Sequence, residues 1–188
     1  MDEPIIRCGW CEGIRLYEDY HDQEWGRPVL DETKMFEFLL LETFQAGLSW
    51  ITVLKKREAF RAVFHEFDIQ KVASMTPAEL DTAMENPGII RNRAKILAAV
   101  NNAKCVEDMH ANGTTLVDFF WSYVNGKPII NQWETLAEIP AMTPLAEQIS
   151  KDLKKLGFKF VGPTIIYAHM QATGMVNDHL VSCSFRNG

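Results

Sequence analysis

Apolar residues recur along this chain at helical spacing and scarcely anywhere at strand spacing, which directs it to an all-α architecture. From Lys34 to Phe44 they fall at Met35, Phe36, Leu39, Leu40 and Phe44, the pattern of an amphipathic helix whose polar edge is marked by Lys34 and Glu37. Thr76-Pro77-Ala78-Glu79 combines a helix N-cap, a proline at the first helical position and a capping-box glutamate. The helix expected from Ile89 onward carries Ile89, Ile96, Val100 and Ala103 on one stripe. Thr143-Pro144 repeats the cap-and-proline start ahead of a segment ending at Leu156-Gly157, and a further helix is expected from Pro163 to Ala172. Gly126 to Gln132 is the best strand candidate, and it is short enough to be a loop.

A chain of 188 residues with 47% hydrophobic and 23% charged residues has the size and balance of one globular domain. Its opening, Met1-Asp2-Glu3-Pro4, is acidic and lacks the basic start of a signal peptide, and its apolar runs are too short to span a membrane. A cytoplasmic address is therefore expected, where Cys8, Cys11, Cys105 and Cys183 read as thiols or metal ligands rather than disulfides. The net charge of −6 argues against nonspecific coating of nucleic acid but leaves room for a local basic face. Basic residues do cluster, at Lys55-Lys56-Arg57 with Arg61, at Arg91, Arg93 and Lys95, and at Lys151, Lys154, Lys155 and Lys159. Any one of these clusters is most simply a solvated helix face.

Two motif-like stretches fail on chemistry. Gly157 to Thr164 has phosphate-loop spacing, but Pro163 stands where the phosphate-holding lysine belongs. Gly47-Leu48-Ser49 begins like a nucleophile elbow but lacks its second glycine and a surrounding βαβ pattern.

Three constellations carry chemistry. Thr76 to Glu85, the turn Asn86-Pro87-Gly88 and the helix after it read as a helix–hairpin–helix, whose turn would aim backbone N–H groups at a phosphate. Arg91, Arg93 and Lys95 follow at once and could add charge-assisted contacts, although an ordinary helical hairpin has the same outline. Cys8 and His21 near the start, with His179 and Cys183 near the finish, would suit a closed tetrahedral zinc site. Spacing leaves this open, because Cys8 and Cys11 form a C-x-x-C pair that could bind metal or act in redox chemistry. Glu42 lies beside Met35, Phe38 and Leu39 on its helix, so its carboxylate is expected to be partly buried. Such a group wants either protein donors or a cationic, donor-rich ligand, and Trp10, Tyr17, Tyr20 and Trp50 are candidates for a stacking pocket around it.

Arg7-Cys-Gly-Trp10, Tyr20 to Gly26, Leu41 to Arg57, Gly157 to Gly162 and Val176 to His179 together closely resemble the 3-methyladenine DNA glycosylase I family, the constitutive bacterial type within the helix–hairpin–helix superfamily. The likeness runs from about Cys8 to Cys183, and the Leu41–Arg57 block is its most specific part. The resemblance implies a single glycosylase unit over residues 1–188, with zinc-binding terminal segments at 1–30 and 165–188 and a helical core over 31–164. The hairpin falls near 76–110. One structural zinc is implied on Cys8, His21, His179 and Cys183, which leaves Cys11 and Cys105 as spare thiols.

The same resemblance makes Glu42 the base-reading and catalytic carboxylate, with Tyr20 as a hydrogen-bonding partner. Tyr17 and Trp50 become stacking faces and Trp10 a pocket wall. Gly47 and Leu48 approach the gap left by an extruded nucleotide, and Gly88, Arg91 and Lys95 hold the DNA. The implied activity is hydrolytic release of 3-methyladenine from alkylated double-stranded DNA by a monomer that needs no protein partner and no membrane. Related helix–hairpin–helix enzymes place an aspartate after the hairpin, but Asp108 falls near a helix end beside Glu107 and His110, where a solvated role is expected. The rival reading is a non-catalytic module that recognises alkylated DNA. A zinc deaminase is excluded, since neither H-x-E nor P-C-x-x-C occurs. A thiol-redox protein would need a thioredoxin-like context that the sequence lacks.

Overall fold

Every residue from Met35 to Phe44 is buried, so the helix expected to be amphipathic is instead the central post of the molecule. A helix enclosed on all sides has no solvent edge to offer. Glu37, expected on that edge, is buried and ion-paired to Arg57 at 2.7 Å and to Lys34 and Arg61 at 3.3 Å each.

The computed structural model describes residues 4–187; Met1, Asp2 and Glu3 of the acidic opening, and Gly188, lie outside the described residues. In chain order the helices are α1 (Arg15–Gln23), α2 (Glu32–Gln45), α3 (Trp50–Leu54), α4 (Arg57–Val63), α5 (Ile69–Ala73), α6 (Pro77–Glu85), α7 (Arg93–Ala111), α8 (Leu116–Ser122), α9 (Pro144–Lys155) and α10 (Pro163–Ala172). α2 is packed by α3, α7, α8 and α10, α7 lies along α5 and α6, and α9 backs α10. Phe36, Phe38, Phe44, Phe60, Phe64 and Phe120 fill the space between them.

The expected caps are present. Thr76 accepts from Glu79 N while the Glu79 carboxylate returns to Thr76 N at 2.7 Å, and Thr143 accepts from Ala146 N at 3.2 Å. α7 starts later than expected, at Arg93 rather than Ile89, because Asn92 takes the N-cap and accepts from Lys95 N at 3.1 Å. Ile89 is still buried with Ile96, Val100 and Ala103, reaching the core from the turn rather than from the helix. The short strand candidate is real. β1 (Ile129–Ile130) pairs in parallel with β2 (Val176–Asn177), Ile129 opposite Val176.

The two chain ends lie side by side. Ser184 N donates to Ile6 O at 2.8 Å, and Ile6 N donates to Ser184 Oγ at 3.0 Å. Among the described residues no helix is long and apolar enough to cross a membrane.

Candidate active site

Glu42 projects from α2 into a cavity of about 390 Å³, a size typical of a small-molecule site. α1 supplies Tyr17 and Tyr20 from adjacent turns, α3 supplies Trp50 from its first position, and Trp10 and Trp25 close one side. α10 presents Thr164, Tyr167, Ala168 and Gln171, spaced so that one helix face lines the opposite wall. Leu136, Ile139, Pro140 and Ala141 form the lip. The aromatic rings hold one another in place. Trp10 meets Tyr17 edge-on at 4.8 Å and Trp25 at 5.0 Å, and Tyr20 lies tilted against Trp50 at 5.5 Å.

Three buried polar atoms on this cavity have no partner within the protein: Glu42 Oε2, Gln45 Oε1 and Trp50 Nε1. Orphaned buried polar groups are costly and cluster where a ligand completes them. Burial pushes the Glu42 carboxyl well above its ordinary range, with no compensating cation beside it. Burial, and then the nearby Glu42 carboxylate, likewise push the Tyr20 hydroxyl up, so it stays protonated and able to donate. The cavity is therefore an aromatic slot with one uncompensated acid, built to receive a flat, cationic, hydrogen-bonding group.

Asp178 joins two of the cavity's walls. Fully buried, it accepts from the Tyr167 hydroxyl and from Gln171 Nε2 at 2.9 Å on one oxygen. On the other it accepts from Asn131 Nδ2 at 2.7 Å and Trp133 Nε1 at 2.8 Å, in the segment that leads to the lip.

Behind the aromatic wall sit Cys8, His21, His179 and Cys183, all buried, their ligand atoms all within 4.8 Å of one another. Cys183 Sγ lies 3.4 Å from His179 Nδ1 and 3.6 Å from His21 Nε2, and Cys8 Sγ lies 3.8 Å from His179 Nδ1. In a tetrahedron with zinc's usual bond lengths, sulfur and nitrogen ligands stand about 3.6 Å apart, close to these three separations. The other ring nitrogens are engaged. His21 Nδ1 lies 2.8 Å from the Asp22 carboxylate, itself held by Arg7, and His179 Nε2 lies 3.0 Å from Trp25 O. Donation at those positions leaves a lone pair on each nitrogen that faces the cluster. Cys11 is outside the group, its thiol turned to Cys8 O at 3.1 Å, and Cys105 lies on α7. The cluster touches the cavity through shared rings, for Trp10 stands 5.3 Å from His21 and Trp25 4.7 Å from His179.

The residues expected on DNA divide. Leu48 is 42% exposed beyond Gly47, whose φ of +80° suits glycine, and Leu48 N donates to Gln45 O at 2.7 Å to close the turn. Arg91 is exposed on the hairpin. Gly88 donates its N–H to Asn86 Oδ1 at 2.8 Å, so it is not among the N–H groups the turn can aim outward. Lys95 does not fit its expected role. It is buried, and its ammonium donates to Phe44 O at 2.9 Å and Ala46 O at 2.6 Å, because two helix-end carbonyls compete successfully with solvent for it. Arg57, grouped by sequence with a solvated basic cluster, is likewise internal. Asp108 is exposed on α7, in keeping with a solvated role.

Sequence reasoning missed Trp25, Gln45, Tyr167 and Gln171 as cavity residues. Trp25 and Gln45 lie in stretches that carried the family resemblance, and Tyr167 and Gln171 are four apart on a helix, a signal that was available.

The sequence profile described as Methyladenine glycosylase matches residues 10–187. DNA-3-methyladenine glycosylase 1 of Escherichia coli (strain K12) is 54% identical over 177 residues, which cover 94% of this chain and 95% of that protein. A crystal structure of 3-methyladenine DNA glycosylase I superposes with a TM-score of 0.93 at 50% identity, covering 95% of this chain and 98% of that one. A variant of 3-methyladenine DNA glycosylase I in complex with 3-methyladenine superposes with a TM-score of 0.92 at 39% identity, covering 97% and 98%. With a cavity built around one buried acid, and with matches that span nearly its whole length, this chain belongs to the methyladenine glycosylase family.

Proposed function

We infer that this protein is a base-excision repair glycosylase that hydrolyses the N-glycosidic bond of 3-methyladenine in alkylated DNA. The observation that carries the reading is Glu42: a buried, unpartnered carboxyl on an aromatic cavity, in a chain whose relatives bear that activity in their names. Adenine methylated at N3 within DNA is cationic. Aromatic faces favour such a ring by roughly 0.5–2 kcal/mol. Ionised Glu42 accepts charge-assisted hydrogen bonds from it. Unmodified adenine is neutral and gains less from the same groups.

The base must leave the helical stack to reach Glu42, and a damaged base costs less to extrude. Tyr17 and Trp50 stack on it, Tyr20 offers a donor, and Trp10 closes the wall. A cationic base is a good leaving group. The C1′–N9 bond breaks with its electron pair going to the base, which departs neutral. Water then adds to the oxocarbenium carbon and loses a proton, leaving an abasic site. Among the described residues that line the cavity none is a lysine, so no Schiff-base nucleophile is assigned.

The donor set of Cys8, His21, His179 and Cys183 suits one structural zinc. Bound there, zinc would supply a cross-link between the terminal segments. With four protein ligands it offers no open position to a reactant. The enzyme acts as a single unit, a monomer on double-stranded DNA in the cytoplasm, with Gly47 and Leu48 at the emptied gap and Arg91 on the backbone.

The test is chromatography of bases released from methylated duplex DNA by the parent and by Glu42→Gln. Release of 3-methyladenine by the parent and its loss in the variant is the expected result. Binding without release by the metal-loaded parent would favour a recognition module instead.

A further inference from the structure

The hairpin between α6 and α7 lies far in sequence from the turn at residues 46–49, yet a lysine just after the hairpin bonds the backbone leading into that turn, and a lysine at the start of α4 bonds the hairpin's crest. From the hairpin side, Lys95 in the first turn of α7 donates its ammonium to Phe44 O at 2.9 Å and to Ala46 O at 2.6 Å. These carbonyls belong to the last turn and C-cap of α2, where helical hydrogen bonding has run out. From the other side, Lys56 donates to Pro87 O at 2.9 Å and to Gly88 O at 3.4 Å, at the crest of the hairpin. The hairpin also sits directly on α4: a Cβ at Gly88 would come within 2.9 Å of Ala59 Cβ.

Lys95 is 6% exposed, and its own backbone N–H is held by Asn92 Oδ1 at 3.1 Å. Both ends of the residue are therefore fixed, and it has no freedom to reach a phosphate. The turn it holds stands at the mouth of the cavity, since Gln45 lines that cavity and Leu48, three residues on, is 42% exposed. A base that enters the cavity leaves a vacancy beside this mouth, and Leu48 is an exposed apolar side chain on the turn there.

We propose that Lys95 is a positioning residue that ties the hairpin to the turn carrying Leu48, so that seating the hairpin on the DNA backbone sets Leu48 against the vacated stack. The proposal rests on the glycosylase reading above. It assigns Lys95 to the extrusion of the base, not to electrostatic attraction and not to recognition of the base inside the cavity. Lys56 steadies the same hairpin from the junction of α3 and α4, the helices that follow the turn.

The test uses the full-length, metal-loaded protein with Lys95→Met, Lys95→Arg, Lys56→Met, Leu48→Ala and the Lys95→Met/Leu48→Ala double variant. Four quantities are read: the salt dependence of duplex binding, the fluorescence of 2-aminopurine beside the lesion, the single-turnover rate of base release, and the affinity for free 3-methyladenine. Lys95→Met should lower the 2-aminopurine signal and, with it, the release rate by up to roughly a hundredfold, as a small misplacement does. It should leave the salt slope and the free-base affinity at parental values. Arginine should restore most of the loss, because its fork can reach both carbonyls. The double variant should be no worse than the poorer single variant, since both changes interrupt one linkage.

A salt slope reduced by about one in Lys95→Met would make it a phosphate contact and overturn the proposal. So would an unchanged 2-aminopurine signal, or full additivity with Leu48→Ala. If Lys95→Met does not fold, Lys56→Met decides, because that side chain is only half-buried and the same pattern of losses is required of it. A parent that releases no base overturns the glycosylase reading itself, whereas an active parent with insensitive lysine variants overturns only the tie.

Discussion

Arg57 lays its two terminal nitrogens along the carboxylate of Glu24 at 2.7 and 2.8 Å. Its Nε turns to Glu37 at 2.7 Å, so one guanidinium fastens the end of α1 to the middle of α2. α1 bears Tyr17, Tyr20 and His21, and α2 bears Glu42. The ion pair is thus what keeps the aromatic side of the cavity in register with its acid.

Arg57→Met should lower unfolding free energy by about 1–3 kcal/mol, read from urea denaturation, because Glu24 then keeps only Lys34 and Glu37 only Lys34 and Arg61 as cationic partners. The link also has a pH signature. Burial opposes ionisation of Glu24, but Arg57 and then Lys34 outweigh it and bring its pKa from 4.5 down to about 2. The folded value is below the unfolded one, so this stabilisation is present above about 4.5 and is lost as pH falls toward 2. Over that window Arg57→Met should show a flatter stability curve than the parent.

His169 sits in the core against Phe120 at 4.4 Å, with neither ring nitrogen bonded to protein. Burial takes its pKa from 6.5 down to about 3, so the fold accepts only the neutral ring. The unfolded chain binds the proton first, and stability falls as pH drops from 6.5 toward 3. His169→Leu removes the group that titrates. Its stability should equal or exceed the parent's at neutral pH, and the gap should widen to several kcal/mol on acidification. A gap that stays constant from pH 7 to pH 4 would show that the ring is not held neutral.

Burial holds the Glu42 carboxyl in its neutral form to higher pH than usual, whereas the methylated base carries a fixed positive charge. The ionised acid is the form that favours the cation, and its fraction grows with pH. The kcat/KM for base release should therefore rise with pH through the raised pKa. Glu42→Gln should be both slow and flat over the same range. A parental profile that is level, or that falls with pH, would remove the carboxylate from the chemistry.

Metal analysis of the purified protein should give one zinc per chain. Cys183→Ser or strong chelation should abolish binding and lower the melting temperature by at least ~10 °C, since metal binding and folding are coupled. Cys11→Ser should leave the metal content unchanged, because its sulfur faces Cys8 O and not the cluster. Metal lost from Cys11→Ser but kept by Cys183→Ser would assign the ligands differently.

Helix type and most helix boundaries were legible because they are local. Thr76, Thr143 and Pro163 mark starts by their own capping chemistry, and the structure starts α6, α9 and α10 there. The delayed start of α7 was not legible, since it depends on which of several polar residues wins the cap, and Asn92 did. The character of α2 was misread for a related reason. Lys34 and Glu37 look like a solvent edge until Arg57, twenty residues beyond Glu37, arrives to neutralise it.

The site shows the same division. Tyr17, Tyr20, Glu42 and Trp50 could be nominated as a set because α1 through α3 are close in sequence. The spacing of Tyr167 and Gln171 put them on one helix face, but not which face lines the cavity; that is set by Asp178, which gathers donors from residues 131, 133, 167 and 171. Lys95 is the sharpest instance. Beside Arg91 and Arg93 it reads as another phosphate ligand, and only the approach of α2's end turns it inward.

The sequence by itself determined the helical class, the capped starts and an acid set among apolar neighbours, because each follows from residue chemistry or short-range spacing; the four candidate metal ligands, far apart along the chain, were implied only by the family resemblance. Tertiary structure alone decided which charges face water and which face backbone. A buried ion pair or a capped carbonyl depends on groups brought together from distant parts of the chain, and a lysine's surroundings, not its identity, fix whether it meets DNA or holds the fold in place.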